Sequence, residues 1–236
     1  MHTPPAVTPG LIANATSNIR RRALAVLAAA VPLVWAPFVL AHPAATPFSG
    51  SEHEINLWLT VHAAQLVLAP LLAIAVWSLV GGLAGPAAVV AKVALALWLS
   101  LFSAFDAIAG ITTGRLSQHA SQLSEGNRNV VVGAITHLYD EDPLIGGGIS
   151  VLSLLAQPLW LVAATSAALA LHRAGARRVT VATKSLSVLF AAHGGPLAAL
   201  GPLALGVALA TGNTVRDATT ALRSSEASRA HGPPAK

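Results

Sequence analysis

The chain has 236 residues, 54% of them hydrophobic and 10% charged, with a mean hydropathy of +0.66. A soluble domain carries roughly a quarter charged residues, so a single water-exposed globule is excluded, and so much apolar surface excludes disorder as well. The net charge of +5 comes from 14 basic residues that form no stripe able to follow phosphates, and with no cysteine there is no disulfide, thiol or iron–sulfur chemistry.

An all-α, polytopic membrane bundle follows. A membrane helix needs about 20 mostly apolar residues, and five segments meet that length: 23–41, 57–80, 88–113, 145–171 and 185–211. Residues 1–19 are rich in Pro, Thr and Ala without periodicity, and read as a solvated, disordered tail. The first span has a competing reading as a signal peptide, with Val39-Leu40-Ala41 as the cleavage site and His42 as a copper-chelating new N-terminus. Its length and its two prolines, Pro32 and Pro37, favour retention as a span. Residues 114–144 form a long loop. Val131, Ile135 and Leu138 recur there at i, i+4, i+7, which predicts a short helix lying on the membrane surface. Gly194-Gly195-Pro196 interrupts the fifth span, but either half alone is too short to cross. Residues 213–236 form a polar C-terminal tail.

Orientation follows from the basic residues of short loops. Arg20, Arg21 and Arg22 precede the first span, Lys92 sits beside the second turn, and Arg173, Arg177, Arg178 and Lys184 surround the fourth. Placing these together puts the N-terminus in the cytoplasm. The tail residues Arg216, Arg223, Arg229 and Lys236 pull against the external C-terminus that five spans require. All nine acids then fall on the outer side or in the outer half of the third span. Eleven Arg against three Lys, in a chain rich in Ala, Gly and Pro, is the usage of a GC-rich genome and points to a bacterial inner membrane.

Polar residues within the spans are the candidate site. A charge in a span costs about 2.5–3.5 kcal/mol on insertion scales, so it faces the bundle interior with a partner. Asp106 is the only acid within a span, about 10 Å from its outer end at 1.5 Å per residue. Ser103, Asp106, Gly110 and Thr113 share one face of small and polar residues. On the second span Trp58, His62 and Gln65 share a face, with His62 about 8 Å deep. Matched depth lets His62 and Asp106 meet, with Gln65 and either His42 or His119 contributing. Gln157 and His193 form a second polar pair near mid-membrane. His62 and His193 differ in depth by roughly 10 Å, too much for the two axial ligands of one haem.

Outside the spans, His42, His119, His137, Asp140 and Glu141 are the candidate ligands for a divalent metal, whose preferred ligands are imidazole and carboxylate. The second and fourth spans carry a faint repeat, Ala64-Gln65 matching Ala156-Gln157. No phosphate-binding loop, nucleophile elbow, dinucleotide fingerprint or HExxH is present. The residues thus favour a non-enzymatic membrane protein that binds or passes a small solute, metal ion or proton. A membrane-embedded metal-dependent or redox enzyme acting on a lipid or quinone is one alternative. A structural subunit of a homo-oligomer or larger membrane assembly is the other.

Overall fold

The computed structural model describes residues 26, 29–43, 50–146, 150–176, 187 and 200–208, and among these the chain is entirely helical with connecting turns. Helix α1 covers Ala29–Ala41, α2 Glu52–Val80 and α3 Pro86–Phe105. A π-helical segment, Asp106–Thr112, carries α3 without a break into α4, Thr113–Ala120. Helix α5, Glu125–Thr136, leads through a second π turn, His137–Glu141, towards α6, Val151–Arg173. Residues 200–208 are helical as well. Three helices are long and apolar enough to cross a membrane: Glu52–Val80, the continuous Pro86–Ala120, and Val151–Arg173. The protein is a multi-pass membrane helical bundle on that basis.

Helix ends follow local capping chemistry more closely than they follow hydropathy. The apolar run of the second span begins near residue 57, yet α2 starts at Glu52. Ser51 caps it: Ser51 Oγ accepts from the Glu54 N–H at 3.3 Å, and Glu54 Oε2 accepts from the Ser51 N–H at 2.6 Å. Pro86 opens α3, a position where its missing N–H costs nothing, after Gly85 has turned the chain at φ +98°. The fourth span was expected from residue 145 but α6 begins at Val151, because Asp142 Oδ1 accepts the Leu144 and Ile145 N–H groups in a turn. Ser150 then caps the helix through a reciprocal pair with Ser153.

The largest departure from expectation lies between 114 and 144, read from sequence as a loop. Polar residues after Thr113 end the apolar run, but the helix persists to Ala120 because α4 packs against the first turns of α2. Gln118 Nε2 donates to Asn56 Oδ1 across that contact at 3.3 Å. Arg128 on α5 then donates to the carbonyls of Ala120, Ser121 and Leu123 at 3.2–3.3 Å, satisfying the exposed C-terminal end of α4. The short helix expected around 131–138 is α5, and Ile135 is its buried residue.

The core lies where α2, α3 and α6 pack together, with α3 running along α6. Ala91, Ala94, Leu95 and Trp98 of α3 and Ala156, Trp160, Ala163, Ala164 and Ala167 of α6 are buried there. Alanine faces let the backbones approach closely, which is how membrane helices gain packing without a hydrophobic driving force. Trp98 bridges the two, its ring centroid 4.8 Å from Trp160 and 5.3 Å from Phe102. Helix α1 contributes Val31, Trp35 and Val39 to the same cluster, with Trp35 against Phe102 at 5.9 Å. Trp160 Nε1 donates to the Ser187 carbonyl at 3.0 Å.

Candidate functional site

The site is built where α2 crosses the π segment. A π turn adds one residue to the helical register and leaves the usual i−4 carbonyl pattern incomplete. At Asp106–Thr112 the Gly110 carbonyl accepts from Trp58 Nε1 at 2.7 Å in addition to the Thr113 N–H. Thr113 Oγ1 donates to Ala109 and Gly110 carbonyls in the same turn. The contact demands glycine: a Cβ on Gly110 would lie 2.1 Å from His62 Cδ2 and 2.5 Å from Cγ. One turn on, a Cβ on Gly114 would lie 2.7 Å from Leu59 Cδ2 and 2.9 Å from Trp58 Cδ1. The imidazole and the indole of α2 therefore sit directly on helix backbone.

This close approach brings His62 to Asp106. His62 Nε2 lies 3.9 Å from Asp106 Oδ1, and both side chains are almost fully buried, at 3% and 2% exposure. That separation exceeds a direct hydrogen bond. His62 Nδ1 is 2.8 Å from the Trp58 carbonyl. A carbonyl only accepts, so Nδ1 carries the hydrogen, and in the neutral ring Nε2 is the basic nitrogen on the Asp106 side. Gln65, one turn along on the same face, is buried too. Gln65 Oε1 and Asp106 Oδ2 are buried acceptors with no hydrogen-bond partner among the described residues.

Aromatic rings close the site. The Trp58 and His62 centroids lie 4.4 Å apart. His42, just past α1, packs edge-on to both, at 5.4 Å from Trp58 and 5.1 Å from His62. Its Nδ1 donates to the Pro43 carbonyl at 2.9 Å, and burial lowers its pKa below the ordinary imidazole value of 6.5. Tyr139, from the second π turn, meets Trp58 at 5.9 Å. Its hydroxyl pKa is raised, first by burial and then by the Asp140 charge.

Of the residues singled out from sequence, His62, Asp106 and His42 come together here, and Gln65 is buried on α2 one turn from His62. Ser103 is only half-buried, while Gly110 and Thr113 of the same face are buried. His119 is exposed on α4 and does not join the site. His137 Nδ1 and Glu141 Oε2 meet at 2.6 Å as an exposed pair across the π turn, without Asp140 as a partner. Among the described residues, no group of three or more His, Asp or Glu is placed to hold a metal ion. Gln157 is exposed on α6, unlike Gln65 at the matching place of the faint repeat, and its expected partner His193 lies outside the described residues. Sequence reasoning missed Gly114 and Tyr139. The Gly110-x-x-x-Gly114 spacing is a close-packing signature that would have marked the first. Nothing local marks Tyr139, which arrives only because α5 folds back.

The chain matches no family model, no curated protein and no solved structure.

Proposed function

We propose that this is a non-enzymatic inner-membrane protein of five spans, with its N-terminus in the cytoplasm, whose His62–Asp106 site takes up and passes protons from the outer side. The observation that carries the reading is the buried approach of His62 Nε2 to Asp106 Oδ1 at 3.9 Å, with Nδ1 held by the Trp58 carbonyl. A buried carboxylate alone costs several kcal/mol. With the imidazole beside it, the pair holds one mobile proton, on the carboxyl in a neutral pair or on the ring in an ion pair. The fixed Nδ1–H leaves Nε2 to receive it, so the proton exchanges between Asp106 and His62. The basic residues at 20–22 and 173–184 support the orientation.

The test has two parts. Difference infrared spectra of the purified protein should show a carboxylic-acid carbonyl band that titrates, vanishes in Asp106→Asn and shifts in His62→Gln. Proteoliposomes under an imposed potential should pass protons, and the double variant His62→Gln/Asp106→Asn should lose that flux. Equal flux in the double variant and the wild type would overturn the reading. A second reading, a polar clasp holding α2 to α3, has its own observation: the His62 ring rests on Gly110 with no room for a methyl group. In that case Asp106→Ala alone destabilises, while replacing both residues by apolar ones largely restores stability.

A further inference from the structure

We infer that the outward strip of α6 around Gln157 is the contact between two copies of this chain, paired side by side in the membrane. Gln157 lies six residues into α6, about 9 Å from its first residue at 1.5 Å per residue. It is exposed on the surface of the bundle. Lipid tails neither donate nor accept, so an amide facing them carries an uncompensated cost. Other outward polar side chains of the long helices meet that cost within their own helix. Thr60, Ser100 and Thr165 donate to the carbonyls of Asn56, Ala96 and Leu161, one turn back. The Gln157 amide makes no hydrogen bond among the described residues. Pro158 beside it adds to the demand, having no N–H for the Leu154 carbonyl four residues earlier.

A second copy supplies what is missing. A glutamine amide carries both an acceptor oxygen and N–H donors, so it is complementary to itself across a two-fold axis. Each oxygen accepts from the other copy's N–H, and the same patch serves both sides. In a copy of the same orientation the partner amide lies at the same depth by symmetry. A different helix would need a polar side chain at that level. Leu154 and Leu161, at i−3 and i+4 from Gln157, are exposed and give the contact apolar flanks. The alanine face of α6 is already committed to α3, so this strip remains for a partner.

The experiment uses the absence of cysteine from the chain: one introduced cysteine can form a disulfide only between two copies. The full chain carrying Leu161→Cys or Val162→Cys is oxidised in phosphatidylcholine vesicles. Both positions are exposed, but Val162 lies about 140° round the helix from Gln157. A cross-linked dimer is expected from Leu161→Cys and not from Val162→Cys, and adding Gln157→Leu to Leu161→Cys should lower its yield. Sedimentation equilibrium in detergent should show association weakened about three- to thirtyfold in Gln157→Leu, and less in Gln157→Asn, which keeps an amide. A monomeric wild type, equal cross-linking at the two cysteines, or undiminished association in Gln157→Leu would overturn the inference. An amide that bonds within its own chain would instead lower the melting temperature of the monomer in Gln157→Leu and leave cross-linking unchanged, which also overturns it. Should Gln157→Leu fail to fold, the two cysteine variants decide alone.

Discussion

At Gly110 a single hydrogen atom in place of a methyl group decides whether α2 and α3 can meet. Gly110→Ala drives a carbon into the His62 ring, whose position is fixed by Trp58, so neither neighbour can yield cheaply. The expected loss is about 1–3 kcal/mol, towards the upper end because the clash is with a buried ring. Unfolding in detergent measures it, and an alanine variant as stable as the wild type would contradict the close approach. His42 adds a pH dependence. Its folded pKa is lowered by burial, so the unfolded chain binds the proton more readily. Stability is therefore full above the ordinary value of 6.5 and declines as pH falls through it. Melting temperatures between about pH 8 and 5 should fall on the acid side, and His42→Gln should reduce the slope while neighbouring His62 is left intact.

At the scale of an element, the π segment is the feature on which the site depends. It keeps α3 and α4 a single 35-residue rod, about 52 Å long at 1.5 Å per residue, while turning Asp106, Gly110 and Thr113 onto α2. That rod exceeds the hydrocarbon thickness of about 30 Å. The Trp58 indole donates to the Gly110 carbonyl alongside the Thr113 N–H and hydroxyl, so Trp58→Phe keeps most of the packing and removes one hydrogen bond without stranding the acceptor. A loss of about 0.5–1.5 kcal/mol is expected, with faster amide exchange confined to the π segment. A uniform change in exchange along α3 and α4 would show that the indole is not what holds the turn.

For the whole molecule, three helices are long and apolar enough to cross a membrane, and α1 joins the core through Val31, Trp35 and Val39. A first segment that packs this way belongs to the folded bundle, so the mature chain should retain residues before His42, which mass spectrometry would detect. A chain starting at His42 would refute this. Reporters fused after Arg178 should be cytoplasmic and those after Gly50 and Gly212 external. A cytoplasmic readout at Gly212 would exclude five spans. The fifth span itself lies outside the described residues except for Ser187 and residues 200–208.

Membrane class, helical architecture and the ends of the apolar runs were legible in composition and hydropathy, because transfer into lipid depends on each segment almost independently of the others. The candidate pair was legible for a related reason. An acid in a span needs a partner, and depth along a helix is fixed by a constant rise per residue, so Asp106 pointed to His62. Where helices start and stop was less so. Ser51 and Ser150 set two of the starts, and the packing of α4 on α2 extended a helix past the last apolar residue. Azimuth was not legible at all. The π turn at Asp106–Thr112 rotates everything beyond it by an amount no periodicity in the sequence records, and contact with Trp58 and His62 on another helix helps to hold that turn. His42 and Tyr139 reached the site from connections whose paths depend on which helices pack together. Energies local to a segment can be read from that segment, whereas energies that exist only between segments appear once the chain has folded.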